Sequence, residues 1–342
     1  MKAASGIAVL GAGRRLAGVV EENAELCRRL EVTPEWIVEK TGIQRRYLAA
    51  PDDTASGFAT EAARQAMDAA GVAPEEIDLI VACTFSGDYT FPPLSAKIHK
   101  ELGVRGGQIF DLQANCAGFV SGLTAASDRM AADPELRHAL VVGVEMNSRY
   151  IDRGNLDSVI YHSDGAGAVV LGRRAGAGVV ASAFHTDSSN YEAVRVRGGG
   201  SSFPVMSRAM LSSGPADTDV MELNGLATWK QAITHLPTVV KNACRKAEVE
   251  LADVDFFVFH QANYNLIDYV VRKMGADMAR THTNVREIGN TGAASVAIAL
   301  SETIDRGLIR PGATVVLAAV GAGFNFAASV WRWGETGSGA VA

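Results

Sequence analysis

The sequence predicts an α/β fold built from two related halves, and three observations carry that prediction. Residues 62–85 (AARQAMDAAGVAPEEIDLIVACTF) align without a gap on residues 239–262 (VVKNACRKAEVELADVDFFVFHQA), matching helix to helix, the Val72/Val249 turn, Asp78 to Asp255, and one apolar strand to another. Two further pairs keep nearly the same offset. The strand Ala139–Val144 (ALVVGV) matches Thr314–Ala319 (TVVLAA), and Cys116-Ala117-Gly118 matches Asn290-Thr291-Gly292, which opens the small-residue helix Ala293–Ile304. Finally, the strands are apolar throughout rather than alternating, as expected of a mostly parallel sheet covered by helices on both faces. Two such units, residues 1–174 and 175–342, make one duplicated fold about a pseudo-twofold axis.

Taken in order, Ile7–Leu10 reads as the first buried strand, ended by a Gly11-Ala12-Gly13 turn. These glycines do not make a dinucleotide-binding loop, because the next one comes only at Gly18 and no helical period opens on them. An amphipathic segment runs from Asn23 to Leu30. Pro34 to Arg46 then sets Trp36 beside Lys40, Arg45 and Arg46, which suits either a helix end with solvated charges or a platform for an adenine ring and phosphates. Gln108–Leu112 is a strand and Ala117 to about Ala131 a helix, so Cys116 falls where one becomes the other. Unpaired N–H groups and the positive end of the helix dipole favour a thiolate there, and Gly118 admits a substrate close to the backbone. Read from this segment by itself, Cys116 is either a nucleophile or a buried structural cysteine.

Gly165–Leu171 supplies small residues and then a strand that closes the first half near Arg174. Arg197 to Gly214, rich in Gly and Ser, reads as a loop over the mouth of a site. Gly321-Ala322-Gly323-Phe324 is a turn before the last strand, Ala327–Trp333, and its N–H groups are also able to face a carbonyl oxygen. Glu335–Ala342 reads as a frayed tail.

Composition excludes several classes of function. The 342 residues are 48% hydrophobic and 20% charged, with a net charge of −6 and both signs interspersed, so neither nucleic acid nor a membrane surface is an expected partner. Cys27, Cys83, Cys116 and Cys244 form no CxxC pair, and no histidine stands at metal-ligand spacing, which argues against a disulfide framework and a metal site. The first apolar run is short, broken by glycine and followed by Arg14-Arg15, so it reads as a strand of a cytoplasmic protein rather than a signal peptide. No apolar run reaches bilayer-spanning length.

The repeat gives the site. If the halves are related by a twofold axis, Cys116 and Asn290 face one cleft, and His260, at the carboxyl end of the second-half strand, joins them. A cysteine beside a histidine and an amide donor is a constellation for acyl transfer. His162, His185, His235 and His282 lack such support and are expected on the surface or in packing roles.

These motifs together resemble the β-ketoacyl-acyl-carrier-protein synthase III group of the thiolase superfamily along nearly the whole chain. The resemblance rests on Trp36-Ile37-Val38 with Thr41-Gly42-Ile43, Asn115-Cys116-Ala117-Gly118-Phe119, Asp164-Gly165-Ala166-Gly167-Ala168, His260-Gln261-Ala262-Asn263, Gly289-Asn290-Thr291 and Gly321-Ala322-Gly323-Phe324. It implies a thiolase-like, five-layered α/β/α/β/α fold and a homodimer in which Phe91 floors the partner's acyl pocket. It also implies acylation of Cys116 from acyl-coenzyme A or an acyl carrier protein, with no bound cofactor. The N–H of Cys116 and one from Gly321, Ala322 or Gly323 would form the oxyanion hole. His260 and Asn290 would then stabilise the enolate left when a malonyl thioester loses carbon dioxide. Trp36, Lys40, Arg45 and Asn263 would hold coenzyme A or its pantetheine arm.

The departures from that pattern bear on substrate. Leu156 stands where the family has an arginine that sandwiches adenine against Trp36, Leu226 replaces an asparagine near the pantetheine arm, Lys40 an arginine and Ser163 a glycine. Asn147 falls where an apolar residue lines the acyl pocket. The expectation is a specialised relative with an unusual donor or acceptor. A competing reading is an acyltransferase that passes the acyl group to an alcohol or amine with His260 as base. Another is a non-catalytic partner subunit, which the joint presence of Cys116, His260 and Asn290 disfavours. Biosynthetic thiolase is set aside because no cysteine follows Cys244.

Overall fold

The computed structural model describes residues 1–204 and 218–337. Its frame is two sheets. The first contains β1 (Ile7–Leu16), β2 (Leu79–Cys83), β3 (Gln108–Leu112), β4 (His138–Met146) and β5 (Asp164–Arg173), in the order β1-β5-β4-β2-β3. The second contains β6 (Gly178–Thr186), β7 (Phe256–Phe259), β8 (Thr314–Gly321) and β9 (Asn325–Arg332), in the order β7-β8-β9-β6.

Because successive strand residues face opposite sides, a strand buried on both sides feeds two cores. Leu79, Val81 and Cys83 of β2 face a central core, while Ile80 and Ala82 face an outer one. The central core packs α3 (Gly118–Ala132) and α6 (Ala294–Asp305) between the sheets, through Phe119, Leu123, Val296 and Leu300. One outer layer is α1 (Ala55–Ala70) with α2 (Leu94–Leu102), and the other is α4 (Gly225–Ala247) with α5 (Tyr264–Met274). The result is the five-layered α/β/α/β/α sandwich expected from the sequence.

Three expectations need correction. The sheets are mixed rather than mostly parallel. In the first, β2 pairs parallel with β3 and β4, but β4–β5 and β5–β1 are antiparallel. In the second, β7–β8 is parallel, whereas β8–β9 and β9–β6 are antiparallel. Apolar strands report burial on both faces and not direction, and the short Gly321–Asn325 connection leaves room only for a hairpin. Second, β1 does not end at its glycines but runs on to Leu16. There the glycines admit α1: a Cβ on Gly13 would stand 2.6 Å from the Ala66 nitrogen, and one on Gly11 2.5 Å from the Ala70 nitrogen. Third, the helix opening at Asn23 stops at Leu26. Asn23 instead donates to the Ile43 carbonyl at 2.7 Å and accepts from Arg46 at 2.9 Å, and Arg46 is wholly buried rather than solvated or free for phosphate.

Val194–Val196 pairs with Met221–Leu223 as a small ladder beside the first part of the expected Arg197–Gly214 loop. Residues 205–214 of that loop, and residues 338–342 of the tail, lie outside the described residues. No helix among the described residues is long and apolar enough to cross a membrane.

The glycine contact in β1 is open to test. Gly13→Ala is expected to lower unfolding free energy by about 1–3 kcal/mol in urea denaturation, because α1 must move away from the sheet. Gly18→Ala, where an added Cβ meets nothing within 4 Å, is expected to stay within about 0.5 kcal/mol of the parent. Equal effects of the two changes would contradict the close approach.

Candidate active site

The turn that carries Cys116 is locked from the other half of the chain. After β3, residues Asn115–Ala117 form one tight turn before α3 begins at Gly118. Asn115 adopts φ +49°, a left-handed conformation that asparagine tolerates better than most side chains. Its Nδ2 donates to the Ala322 carbonyl at 3.1 Å. Gly321 lies so close that a Cβ there would collide with the Ala114 carbonyl and stand 3.0 Å from the Ala117 nitrogen. The glycine turn therefore abuts the cysteine, and Cys116, Ala322 and Gly323 line one cavity of about 380 Å³.

The sequence reading expected a stabilised thiolate at this position. The structure points the other way: burial and the Glu145 carboxylate push the Cys116 thiol up to about 12, against a smaller lowering from its own N–H. The helix end is outweighed chiefly by burial of the thiol, with Glu145 as the lesser cause.

His162 and Gly292 line this cavity, whereas His260 and Asn290 do not; His260 lines a separate small cavity with Phe259 and Val320. A bridge pairs His162 with Asn290, and a charge on His162 would oppose one on His260. Burial, with His162 as a lesser cause, takes the His260 ring down to about 3, so it is neutral. Its Nδ1 lies 2.6 Å from Ser295 Oγ, which also accepts the Gln261 N–H at 3.3 Å. Among the described residues the Ser295 hydroxyl has no acceptor other than Nδ1, and with the hydroxyl donating there the ring proton stands on Nε2. Asn290 Oδ1 accepts the Gly292 N–H at 2.9 Å, which fixes the amide orientation and leaves its Nδ2 without a partner among the described residues. Gly292 itself lines the cavity. The loop bearing Asn290 is held by Ser163, whose Oγ donates to the Ile288 carbonyl at 2.5 Å and accepts the Tyr47 N–H at 3.0 Å.

Two site residues escaped the sequence reading. His162, expected on the surface or in packing, is 8% exposed and lines the cavity. Its signal was its place just ahead of Ser163-Asp164-Gly165, where β5 begins. Glu145, wholly buried, lines the cavity too and accepts from Ser86 Oγ at 2.5 Å and the Phe85 N–H at 3.3 Å. Burial raises its carboxyl to about 8. A lone carboxylate at the end of the apolar run of β4 was the clue.

The remaining positions sort differently. Asn147 lines the cavity, as expected of an acyl-pocket position. Lys40 sits 5.8 Å over the Trp36 ring, and Trp36 and Leu156 pack against one apolar cluster. Arg45 pairs with Glu22 and Glu287, and Asn263 Oδ1 caps α5 through the Leu266 N–H. Phe91 is 83% exposed and is not among the residues that line the Cys116 cavity. His185 and His235 stack on each other 4.7 Å apart, and His282 bonds Glu302 at 2.7 Å, so all three serve packing.

Comparison with known proteins agrees with this arrangement. Residues 110–188 match the family model 3-oxoacyl-[acyl-carrier-protein] synthase III, and residues 244–333 match its C-terminal model. The β-ketoacyl-[acyl-carrier-protein] synthase III of Erythrobacter litoralis is 37% identical over 330 residues, covering 95% of this chain and 99% of the relative. That of Rhizorhabdus wittichii is 37% identical over 327 residues, with coverage of 95% and 98%. Among solved structures, the priming β-ketosynthase of the R1128 polyketide pathway superposes with a TM-score of 0.88 at 30% identity, covering 98% of this chain and 97% of that one. The synthase III of Pseudomonas aeruginosa gives 0.86 at 28%, with coverage of 96% and 99%. With its thiolase-like sandwich and a cysteine set under a glycine turn, the chain belongs to the 3-oxoacyl-[acyl-carrier-protein] synthase III family and is an acyl-thioester condensing enzyme.

Proposed function

We propose that Cys116 carries the acyl group and that His260 and Asn290 stabilise the enolate that attacks it, the residues 1–174 half supplying the nucleophile and the 175–342 half the donors. The observation that supports this most is the pattern of hydrogen-bond commitments. Ser295 and Gly292 occupy the acceptor sides of the His260 ring and the Asn290 amide, leaving His260 Nε2–H and Asn290 Nδ2–H as neutral donors.

In the first step Cys116 Sγ attacks the carbonyl carbon of an acyl thioester, and the oxyanion is held by the N–H of Cys116 and an N–H of the Gly321–Gly323 turn. The carbon–sulfur bond to the donor breaks, and the thiol proton of Cys116 leaves with the departing thiol. A malonyl thioester then binds with its thioester oxygen toward His260 and Asn290. Its bond to the terminal carboxylate breaks, carbon dioxide departs, and the electron pair becomes an enolate that the two donors stabilise without protonating it. The enolate carbon bonds to the acyl carbon, the bond to Sγ breaks with its electron pair on sulfur, the thiolate takes a proton from water to restore the thiol, and a β-ketoacyl thioester is released. Passage of the acyl group to an alcohol or amine is not favoured, because Nε2 of His260 already carries a proton and does not accept another from the nucleophile.

Acyl-coenzyme A is the proposed donor and a malonyl-carrier protein the proposed acceptor, in a cytoplasmic homodimer whose exposed Phe91 covers the partner's pocket. Trp36, Lys40 and Asn263 are the proposed contacts for coenzyme A, with Arg45 able to join them only by leaving Glu22 and Glu287. The replacements Leu156 and Leu226 support a specialised relative rather than a general initiator of fatty-acid synthesis.

Intact-mass measurement after incubation with acyl-coenzyme A is expected to show one acyl adduct on the parent protein and none on Cys116→Ala. A malonyl thioester is expected to discharge it with release of carbon dioxide. An adduct that survives in Cys116→Ala would overturn the assignment. His260→Ala and Asn290→Ala are expected to keep acylation but to slow carbon dioxide release about 10²–10³-fold, as for loss of an oxyanion donor. Loss of acylation with normal decarboxylation would reverse their roles. Because the Cys116 thiol is pushed up to about 12, its iodoacetamide labelling, followed by peptide mass, is expected to rise about tenfold per pH unit from about pH 7 to 9. A plateau near neutral pH would mean a preformed thiolate.

A further inference from the structure

Asn147 and His162 present acceptors, not donors, to the cavity that Cys116 lines. Asn147 is 1% exposed and lines the cavity with Cys116. Its Nδ2 donates to the Ser163 carbonyl at 2.8 Å and to the Asn290 carbonyl at 3.4 Å. Both partners are carbonyl oxygens, so the amide has one permitted orientation, and Oδ1 is left as an acceptor with no donor among the described residues. His162 Nδ1 lies 2.9 Å from the Ser158 carbonyl, which requires the ring proton on Nδ1. Burial keeps this ring neutral, so Nε2 carries a lone pair and no hydrogen. A third group lining the cavity, the buried Glu145 carboxyl, already receives Ser86, Thr84 and Phe85.

A lining of this kind is a poor container for a plain alkyl chain, which would cover two acceptors and satisfy neither. It is equally poor for an anionic acyl group, which would meet two lone pairs, while Arg195, which also lines the cavity, is already paired with Glu192 and Glu222. It suits an uncharged hydrogen-bond donor. We propose that the acyl group accepted by Cys116 bears a hydroxyl in its chain, which donates to the uncommitted oxygen of Asn147 or nitrogen of His162. The inference rests on Cys116 being the acylated residue, and it names the substrate class that this residue takes. Asn147 and His162 are then specificity-determining residues: they touch the acyl chain and not the bonds that change.

The test compares the rate of Cys116 acylation, as kcat/KM by intact mass, for butyryl-coenzyme A, its 2-, 3- and 4-hydroxy forms, 3-aminobutyryl-coenzyme A and succinyl-coenzyme A. At least one hydroxybutyryl donor is expected to exceed butyryl by about tenfold or more, the worth of one buried neutral hydrogen bond, with the succinyl and amino donors below it. The double variant Asn147→Leu, His162→Phe is expected to invert that order in favour of butyryl. Butyryl matching every hydroxy donor on the parent protein overturns the proposal without any variant, so misfolding of the double variant cannot shelter it. A preference for the amino or succinyl donor, or an order unchanged in a folded double variant, overturns it as well. Acylation of Cys116 in any of these cases leaves the condensing assignment standing. If no donor labels Cys116, that assignment and this one fall together.

Discussion

Two hydrogen bonds made away from substrate decide what the site offers to it. One runs from the Gly292 N–H to Asn290 Oδ1, the other joins Ser295 Oγ to His260 Nδ1. Each occupies the accepting end of a group that has both a donor and an acceptor, so only donors remain. The same device, with the sense reversed, acts at Asn147 and His162, where backbone carbonyls occupy the donors and acceptors remain. Donors of the first kind suit an enolate oxygen, and the acceptors of the second kind, which line the cavity with Cys116, suit a hydroxyl. Neither set needs a formal charge, and neutral groups lose far less than ions when water is excluded.

Much of the fold was legible because it is repeated. The alignment of residues 62–85 with 239–262 predicts a helix and a buried strand in each segment, and these are α1 with β2 and α4 with β7. What the sequence left open was strand direction and the meaning of glycine. Apolar strands with helices on both faces look alike whether their neighbours run parallel or antiparallel. Gly11 and Gly13 look like a turn but serve a strand against which a helix lies closely, a relation between residues some fifty positions apart that no local pattern carries.

The site was legible to the same degree. Cys116, His260 and Asn290 stand at recognisable motif positions, while His162 and Glu145 act through placement. Glu145 ends an apolar strand as a residue that looks out of place, and its role emerges only when Ser86, Thr84 and Phe85 are seen to converge on it from the loop after β2. The state of Cys116 was misjudged for a related reason. The helix end was visible in the sequence, but the burial that outweighs it, with Glu145 of another strand as a lesser cause, is a property of the assembled fold.

The central layer has one further consequence. Where α3 and α6 lie between the sheets, a methyl on Gly143 would stand 2.6 Å from the Ala293 carbonyl, one on Gly167 2.5 Å from the Ala297 Cβ, and one on Gly122 2.5 Å from the Cys83 sulfur. Side chains there have no spare volume, so inherited variation in that layer is largely closed off by sterics alone. Leu226, 65% exposed, lies outside that clamp, whereas Asn147 is buried and tied to the Ser163 and Asn290 carbonyls. The central layer thus tolerates no added methyl at these glycines, and the two sheets and the helices between them can shift only as one body.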